Sequence, residues 1–221
     1  MMDLAEEQRR AAGALAAGLV EDGMVIGYGT GRGAAAALEA LALRVREGLH
    51  LSGVPTSQRT RELCQKLGLQ LVTLDDAPVL DLVIDGADEV DPQKQVLKGG
   101  GGALTREKLV ALASKRRVLV MEAVKLVPRL GATRGLPIEV LEFGFRGTLS
   151  RIQALLPGAA RREGPLSDNG GVLVDAPIPP GIDLRALASS IKGLSGVVEH
   201  GLFLDLSPTV IVGADGGARI V

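Results

Sequence analysis

The sequence predicts an open α/β fold: a parallel sheet with crossover helices, into which a smaller α+β domain is inserted late in the chain. Two observations carry this expectation. Up to residue 134, short apolar runs alternate with amphipathic helical stretches, the pattern of strands buried on both faces and joined by helices. Beyond Gly135 the order becomes strand, helix, two strands, helix, strand, and one further strand pattern closes the chain.

Each element follows from local pattern. Ala5 to Val20 is an alanine-rich helix, and Met24 to Tyr28 is a strand. A glycine loop then leads into a helix from about Ala34 to Arg46. Leu49 to Val54 is the next strand, after which Thr56 or Ser57 can cap a helix running to Leu67. Leu69 to Leu74 and Leu80 to Ile84 are further strands, followed by a helix carrying Glu107 and a strand from Arg117 to Met121. In the second pattern Pro137 to Leu141 is a strand and Arg146 to Leu156 a helix. Ala159 to Glu163 and Val172 to Ala176 are strands, Asp183 to Ile191 a helix and Val197 to Leu202 a strand. That order is the split-βαβ, ferredoxin-like unit. Pro208 to Val212 can rejoin the first sheet. The expected organisation is therefore a Rossmann-like domain of residues 1–134 plus 205–221, with a ferredoxin-like insertion at 135–204.

Composition narrows the partners. The 221 residues carry a formal net charge of −1, which argues against nucleic acid or an anionic membrane as a generic partner. With three Phe, one Tyr and no Trp, the chain lacks the aromatic side chains of a base-stacking platform. The single cysteine, Cys64, allows no internal disulfide and no cysteine-rich metal site, which suits a reducing, cytoplasmic setting; its place on a helix suggests packing. The acidic start is unlike a signal peptide, and no apolar run approaches the ~20 residues of a membrane span.

Chemistry concentrates between Asp85 and Lys108. Asp85-Gly86-Ala87-Asp88-Glu89 leaves the end of an apolar strand, where open α/β sheets place ligands. Lys98 follows, then Gly99, Gly100, Gly101 and Gly102, and then Thr105-Arg106-Glu107-Lys108 at a helix start. Any one of these acids reads as a cap or turn former. Three carboxylates and an ammonium around a backbone stripped of side chains suit proton transfer on a small polar anion. Lys98 supplies the cation such a cluster needs, so no metal or other cofactor is expected. Glu89 and Asp91 are assigned to the turn after the strand, and His50 and His200 to the surface or loops.

The earlier loop, Gly27-Tyr28-Gly29-Thr30-Gly31-Arg32-Gly33-Ala34, sits between strand and helix, where backbone amides bind phosphate. Its Gly29-x-Gly31-x-x-Ala34 spacing approaches a dinucleotide fingerprint. The strand that follows ends Ser52-Gly53-Val54-Pro55, without the acid that would hold a ribose hydroxyl. A phosphate monoester is the better ligand, with Thr30, Gly31, Arg32 and Gly33 as candidate contacts.

Together these motifs resemble type A ribose-5-phosphate isomerase. Asp-Gly-Ala-Asp-Glu, the Lys-Gly-Gly-Gly run and Leu-Thr-Arg-Glu-Lys occur in that family's order and spacing. Gly29-Thr30-Gly31, Lys125, Leu136-Pro137-Ile138-Glu139-Val140 and Gly201-Leu202-Phe203 extend the likeness over the chain. The resemblance implies a cofactor-free isomerase of the pentose phosphate pathway acting on a small sugar phosphate, typically a homo-oligomer and often a homodimer. It implies Asp85, Asp88, Lys98 and Glu107 in catalysis and substrate binding, and Gly86, Ala87, Gly99–Gly101 and Lys125 as ligand contacts. One departure stands out. Where the family has Gly-Thr-Gly-Ser-Thr-Ala, this chain has Arg32 and Gly33 in place of the two hydroxyl residues. Arg32 can replace them with a guanidinium, and Arg9 occupies the place of a basic residue near the family's start.

Aldose–ketose interconversion needs a base that reaches C1 and C2, a cation at the developing oxyanion, and acid–base groups that open the sugar ring. Glu107 suits the first role, Lys98 with its glycine amides the second, and Asp85 with Asp88 the third. Rival readings are a sugar-phosphate sensor of a transcription regulator, a coenzyme A transferase and an amino-sugar phosphate deaminase. A sensor would need a basic helix-turn-helix, which is not evident at the acidic start.

Overall fold

The computed structural model describes residues 4–214 and 217–221. Two compact units divide the chain. The first comprises the chain up to Ala87, Arg106–Lys125 and Leu206–Val221; the second comprises Asp88–Thr105 and Leu126–Asp205. Besides the insertion expected at 135–204, the second unit takes in residues 88–105, which hold Lys98 and the glycine run, and residues 126–134.

The first unit is built on a seven-stranded sheet in the order Gly217–Ile220, Thr209–Ala214, Ser114–Glu122, Leu80–Asp85, Val25–Tyr28, Ser52–Pro55, Gln70–Leu71. All neighbours are parallel except the last edge strand, Gly217–Ile220, which turns back antiparallel on Thr209–Ala214. From Val25–Tyr28 the chain builds outward to one side through Ser52–Pro55. From Leu80–Asp85 it builds to the other through Ser114–Glu122. The switch point therefore lies between Val25–Tyr28 and Leu80–Asp85, and crevices at such points hold ligands. Ile26, Leu82, Ile84, Val118 and Val120 are almost fully buried beside Leu38 and Leu41 of the Arg32–Arg46 helix. Burying each such side chain stabilises the unit by roughly 1.5–3 kcal/mol.

The second unit holds a four-stranded antiparallel sheet in the order Val197–His200, Leu136–Val140, Val172–Ala176, Ala160–Arg161. With the helices Phe145–Leu155 and Leu184–Lys192 this is the ferredoxin-like order anticipated from sequence. Ile138, Val140, Ile152, Val174 and Ile191 form its core.

The structure departs from the sequence-based elements where side chains redirect the backbone. Of the two caps the sequence offers for the Gln58–Leu67 helix the structure uses Ser57, whose hydroxyl accepts from the Thr60 amide at 3.0 Å; other elements differ. The strand expected from Leu69 to Leu74 is only Gln70–Leu71, because Thr73 and Asp76 tie a turn at once. The strand expected from Val197 to Leu202 breaks at Gly201, whose amide donates to Pro137 and whose carbonyl accepts from Lys98. After that break Leu202–Phe203 joins Val96–Leu97 and Glu89–Val90 in a small three-stranded sheet with no period-2 signal long enough to reveal it. His200 is buried at 6% exposure, not at the surface, whereas His50 is exposed beside Asp22. Glu89 does not cap the turn after its strand. It is fully buried and accepts from the amides of Gly131, Thr133 and Arg134 and from the Thr133 hydroxyl. Asp91 does hold that turn, through the amides of Gln93 and Gln95. Among the described residues no helix is long and apolar enough to cross a membrane.

Candidate active site

In the first unit the switch point brings the glycine loop and Asp85 together. Gly29 follows one central strand and Asp85 ends its neighbour. The two backbones run so close that a Cβ on Gly29 would sit 2.4 Å from the Asp85 Cα, which only glycine permits. The Asp85 Oδ1 accepts from the Thr30 amide at 3.0 Å and the Gly86 amide at 2.7 Å, and the residue is 2% exposed. Two backbone donors thus fix one carboxylate oxygen and with it the direction of the other.

The Thr30 hydroxyl turns away from this carboxylate into a cluster of hydroxyls. Its Oγ1 lies 2.8 Å from Thr56 Oγ1, 2.8 Å from Ser57 Oγ and 2.9 Å from Thr60 Oγ1. Thr30 therefore presents its backbone to Asp85 and uses its side chain to brace the loop against the next helix. That helix borders a cleft of about 300 Å³ on the loop's outer side, lined by Arg32, Arg59 and Lys66 among others.

The Arg32–Arg46 helix opens directly from this loop, with Gly31 at its N-cap and no side-chain cap bond. The first amides of a helix have no acceptor within it, and the dipole adds partial positive charge there. Cations surround the same end. Arg32 is 71% exposed and its Nη2 lies 3.7 Å from Glu122 Oε1. Arg9, 8% exposed, donates to that oxygen at 2.9 Å, and Lys125 Nζ lies 3.3 Å from Glu122 Oε2. Burial pushes the Glu122 pKa up, but the Lys125 charge and the Arg9 hydrogen bond outweigh it and hold the carboxyl below its ordinary value. Sequence reasoning missed Glu122, although it ends a central parallel strand just as Asp85 does.

Glu107 lies in the first turn of the Leu104–Ala113 helix and is 5% exposed. A carboxylate there gains from the helix dipole, which favours negative charge at an N-terminus.

In the second unit Asp88, Lys98 and the glycines form one construction. Asp88 Oδ2 accepts from the Gly100 amide at 2.7 Å, and the Asp88 amide donates to the Leu97 carbonyl. Lys98 is 4% exposed, with its ammonium 5.9 Å from the centroid of the Phe203 ring. Arg162 reaches the same loop and donates to the carbonyls of Gly99 and Gly100. Nothing in the sequence around Arg162 signals this; it follows the two-residue strand Ala160–Arg161, and only the folded chain reveals the contact. Among the described residues no group of three or more His, Cys, Asp or Glu is placed to hold a metal ion.

Comparison with known proteins identifies the family. Residues 52–217 match the family model for ribose 5-phosphate isomerase A (phosphoriboisomerase A). The chain is 45% identical over 228 residues to ribose-5-phosphate isomerase A of Methylorubrum extorquens, covering 98% of this chain and 96% of that one. It is 43% identical over 222 residues to the protein of the same name from Thermomicrobium roseum, covering 98% and 94%. Among solved structures, ribose 5-phosphate isomerase A from Methanocaldococcus jannaschii superposes with a TM-score of 0.92 at 34% identity, over 98% of both chains. A D-ribose-5-phosphate isomerase in complex with phospho-erythronic acid gives 0.94 at 31% identity, over 100% of this chain and 99% of that one. The family expected from the Asp85–Lys108 motifs is the one these likenesses establish: the chain belongs to the ribose 5-phosphate isomerase A family.

Proposed function

We propose that this protein interconverts D-ribose 5-phosphate and D-ribulose 5-phosphate through an enediolate. The observation that carries the assignment is the burial of Glu107 and Lys98, 5% and 4% exposed, in a chain of this family. Charged side chains are seldom buried, and a buried charge acts in a medium that strengthens its electrostatic effect. A likeness to an isomerase bound to phospho-erythronic acid supports the same chemistry, because a sugar-acid carboxylate shares the planarity and charge of an enediolate.

The roles follow from what each group can do. Glu107 takes the proton from one of C1 and C2 and returns it to the other, which is typically worth ~10²–10⁴-fold. Lys98 complements the growing oxyanion, where one donor contributes ~3 kcal/mol of transition-state stabilisation. The Gly100 amide already donates to Asp88, so the amides of Gly99 and Gly101 are assigned to the oxyanion with Lys98. Asp85 and Asp88, each with one oxygen held by backbone amides, are assigned to ring opening and to the sugar hydroxyls, beside Gly86 and Ala87. The 5-phosphate is assigned to the helix end at Gly31, Arg32 and Gly33, with Arg9 and Lys125 supplying positive charge.

Exposed apolar side chains, among them Phe143 at 94% and Val124 at 81%, support a homodimer or higher homo-oligomer. A cytoplasmic setting is consistent with the single buried thiol. Formation of ribulose 5-phosphate from ribose 5-phosphate by chelator-treated protein tests the assignment. Ammonia release from an amino-sugar phosphate, or coenzyme A exchange, without that product would replace it.

A further inference from the structure

Glu122 is a buried carboxylate at the end of a central strand, and three cations from three different elements meet it. Arg9 comes from the first helix, Arg32 from the start of the helix after the glycine loop, and Lys125 from the 3-10 turn Ala123–Lys125. Their distances to Glu122 are 2.9, 3.7 and 3.3 Å. Glu6 adds a second carboxylate on Arg9 at 2.9 Å, at the outer, half-exposed side. Arg10 also pairs with Glu6, at 3.0 Å, so four positive charges face two negative ones beside an uncapped helix N-terminus. Three like charges would spread apart if nothing held them, since each sits on a long stem with many rotamers. A carboxylate buried without partners would be costly in turn, so the four groups hold one another in place.

We propose that Glu122 is the positioning residue of the phosphate site. It converges Arg9, Arg32 and Lys125 on one point, so that a phosphate monoester meets a preset cluster of donors. The proposal rests on the assignment of the 5-phosphate to this helix end. Its opposite is that Glu122 only balances charge and competes with phosphate for the same cations. The two predict opposite signs. Loss of a positioning group weakens phosphate binding; loss of a competing charge strengthens it.

The test measures steady-state kinetics and the inhibition constant for inorganic phosphate in Glu122→Gln, Glu122→Asp and Lys125→Ala. Glutamine keeps the shape and removes the charge. Its KM for ribose 5-phosphate and its phosphate inhibition constant are expected to rise together by about tenfold, within the range of coupling between contacting groups, while kcat changes far less. Aspartate keeps the charge on a stem one methylene shorter and is expected to lie between, about threefold above wild type. If the glutamine variant does not fold, the aspartate variant carries the test alone. An inhibition constant equal to or below wild type in the variant measured overturns the role of Glu122. Lys125→Ala tests the underlying assignment separately. If it leaves the phosphate constant unchanged, the phosphate does not bind here. If it raises the constant and Glu122→Gln does not, the site stands and Glu122 is not its positioning residue.

Discussion

Arg162 and Asp175 form a two-point ion pair, with Nε donating to Oδ2 at 2.7 Å and Nη2 to Oδ1 at 2.6 Å. The remaining Nη1 donates to the carbonyls of Gly99 at 2.9 Å and Gly100 at 3.2 Å. Glycine restricts its backbone little, so a glycine run needs outside contacts to hold one conformation. Asp175 fixes the guanidinium, and the guanidinium fixes two carbonyls next to the amides proposed for the oxyanion. Arg162→Ala is expected to lower kcat by about 10–100-fold with little change in KM, because misplacement of about 1 Å can cost 10²-fold. Arg162→Lys lacks the planar fork and should recover only part. A kcat equal to wild type in Arg162→Ala would mean the loop is held without it.

Glu107→Gln should abolish turnover while leaving the protein folded and able to bind inorganic phosphate. The substitution keeps the size of a buried side chain and removes its basicity. Turnover above about a tenth of wild type would remove Glu107 as the base, given the ~10²-fold least expected of such a group.

Lys98→Ala should reduce kcat more than it raises KM, since the charge it complements grows only on the way to the enediolate. Lys98→Arg should not restore activity. Lys98 is 4% exposed and its ammonium lies 5.9 Å from the Phe203 ring, so a wider, planar guanidinium has to displace neighbours. Raised KM at unchanged kcat would make Lys98 a binding group only.

Most of the fold was legible because buried parallel strands are continuous apolar runs. Leu82-Val83-Ile84 and Val118-Leu119-Val120 announce themselves, and the ferredoxin-like order follows from alternation and turn residues. Two-residue strands such as Glu89–Val90 and Val96–Leu97 are shorter than any period they could display, and they exist through pairing with distant Leu202–Phe203. The same divide runs through the candidate site. Asp85, Asp88, Lys98 and Glu107 stand in one dense motif. Glu122 and Arg162 act on partners more than 60 residues away in sequence, Arg9 in one case and Gly99 in the other, and only the fold brings those pairs together. Glu89 shows the reverse error: an acid inside a dense motif that serves a distant loop, not the local turn.

Cys64 is fully buried on the Gln58–Leu67 helix, and burial pushes its thiol up to about 12. The thiolate is the reactive form, so a thiol reagent at neutral pH should modify the native protein only as fast as it opens. Denaturant should expose one reactive equivalent per chain. Stoichiometric labelling within seconds under native conditions would contradict the packing role.

Arg32 tests how this chain manages without the two hydroxyls at this point of the loop. Its side chain is 71% exposed, so its interaction with a phosphate is partly screened by solvent. Arg32→Ala is therefore expected to raise KM for ribose 5-phosphate by about two- to fivefold, as for an exposed charge pair worth up to ~1 kcal/mol, with little fall in kcat. Arg32→Ser should sit between the alanine variant and wild type, because a hydroxyl can return one neutral hydrogen bond. Threonine at the next position has no such freedom. A Cβ on Gly33 would lie 2.1 Å from the carbonyl oxygen of Val120, backbone against backbone, and neither can yield without moving a central strand. Gly33→Thr should accordingly lower Tm, and Arg32→Ser with Gly33→Thr should bind phosphate more weakly than Arg32→Ser alone. Arg32 and Gly33 then form a matched pair, in which a charged side chain at 32 makes up for the hydroxyl that this close helix–strand approach leaves no room for at 33. A double variant as stable as wild type, with a lower KM, would show that the loop has room for both hydroxyls and that the guanidinium replaces nothing.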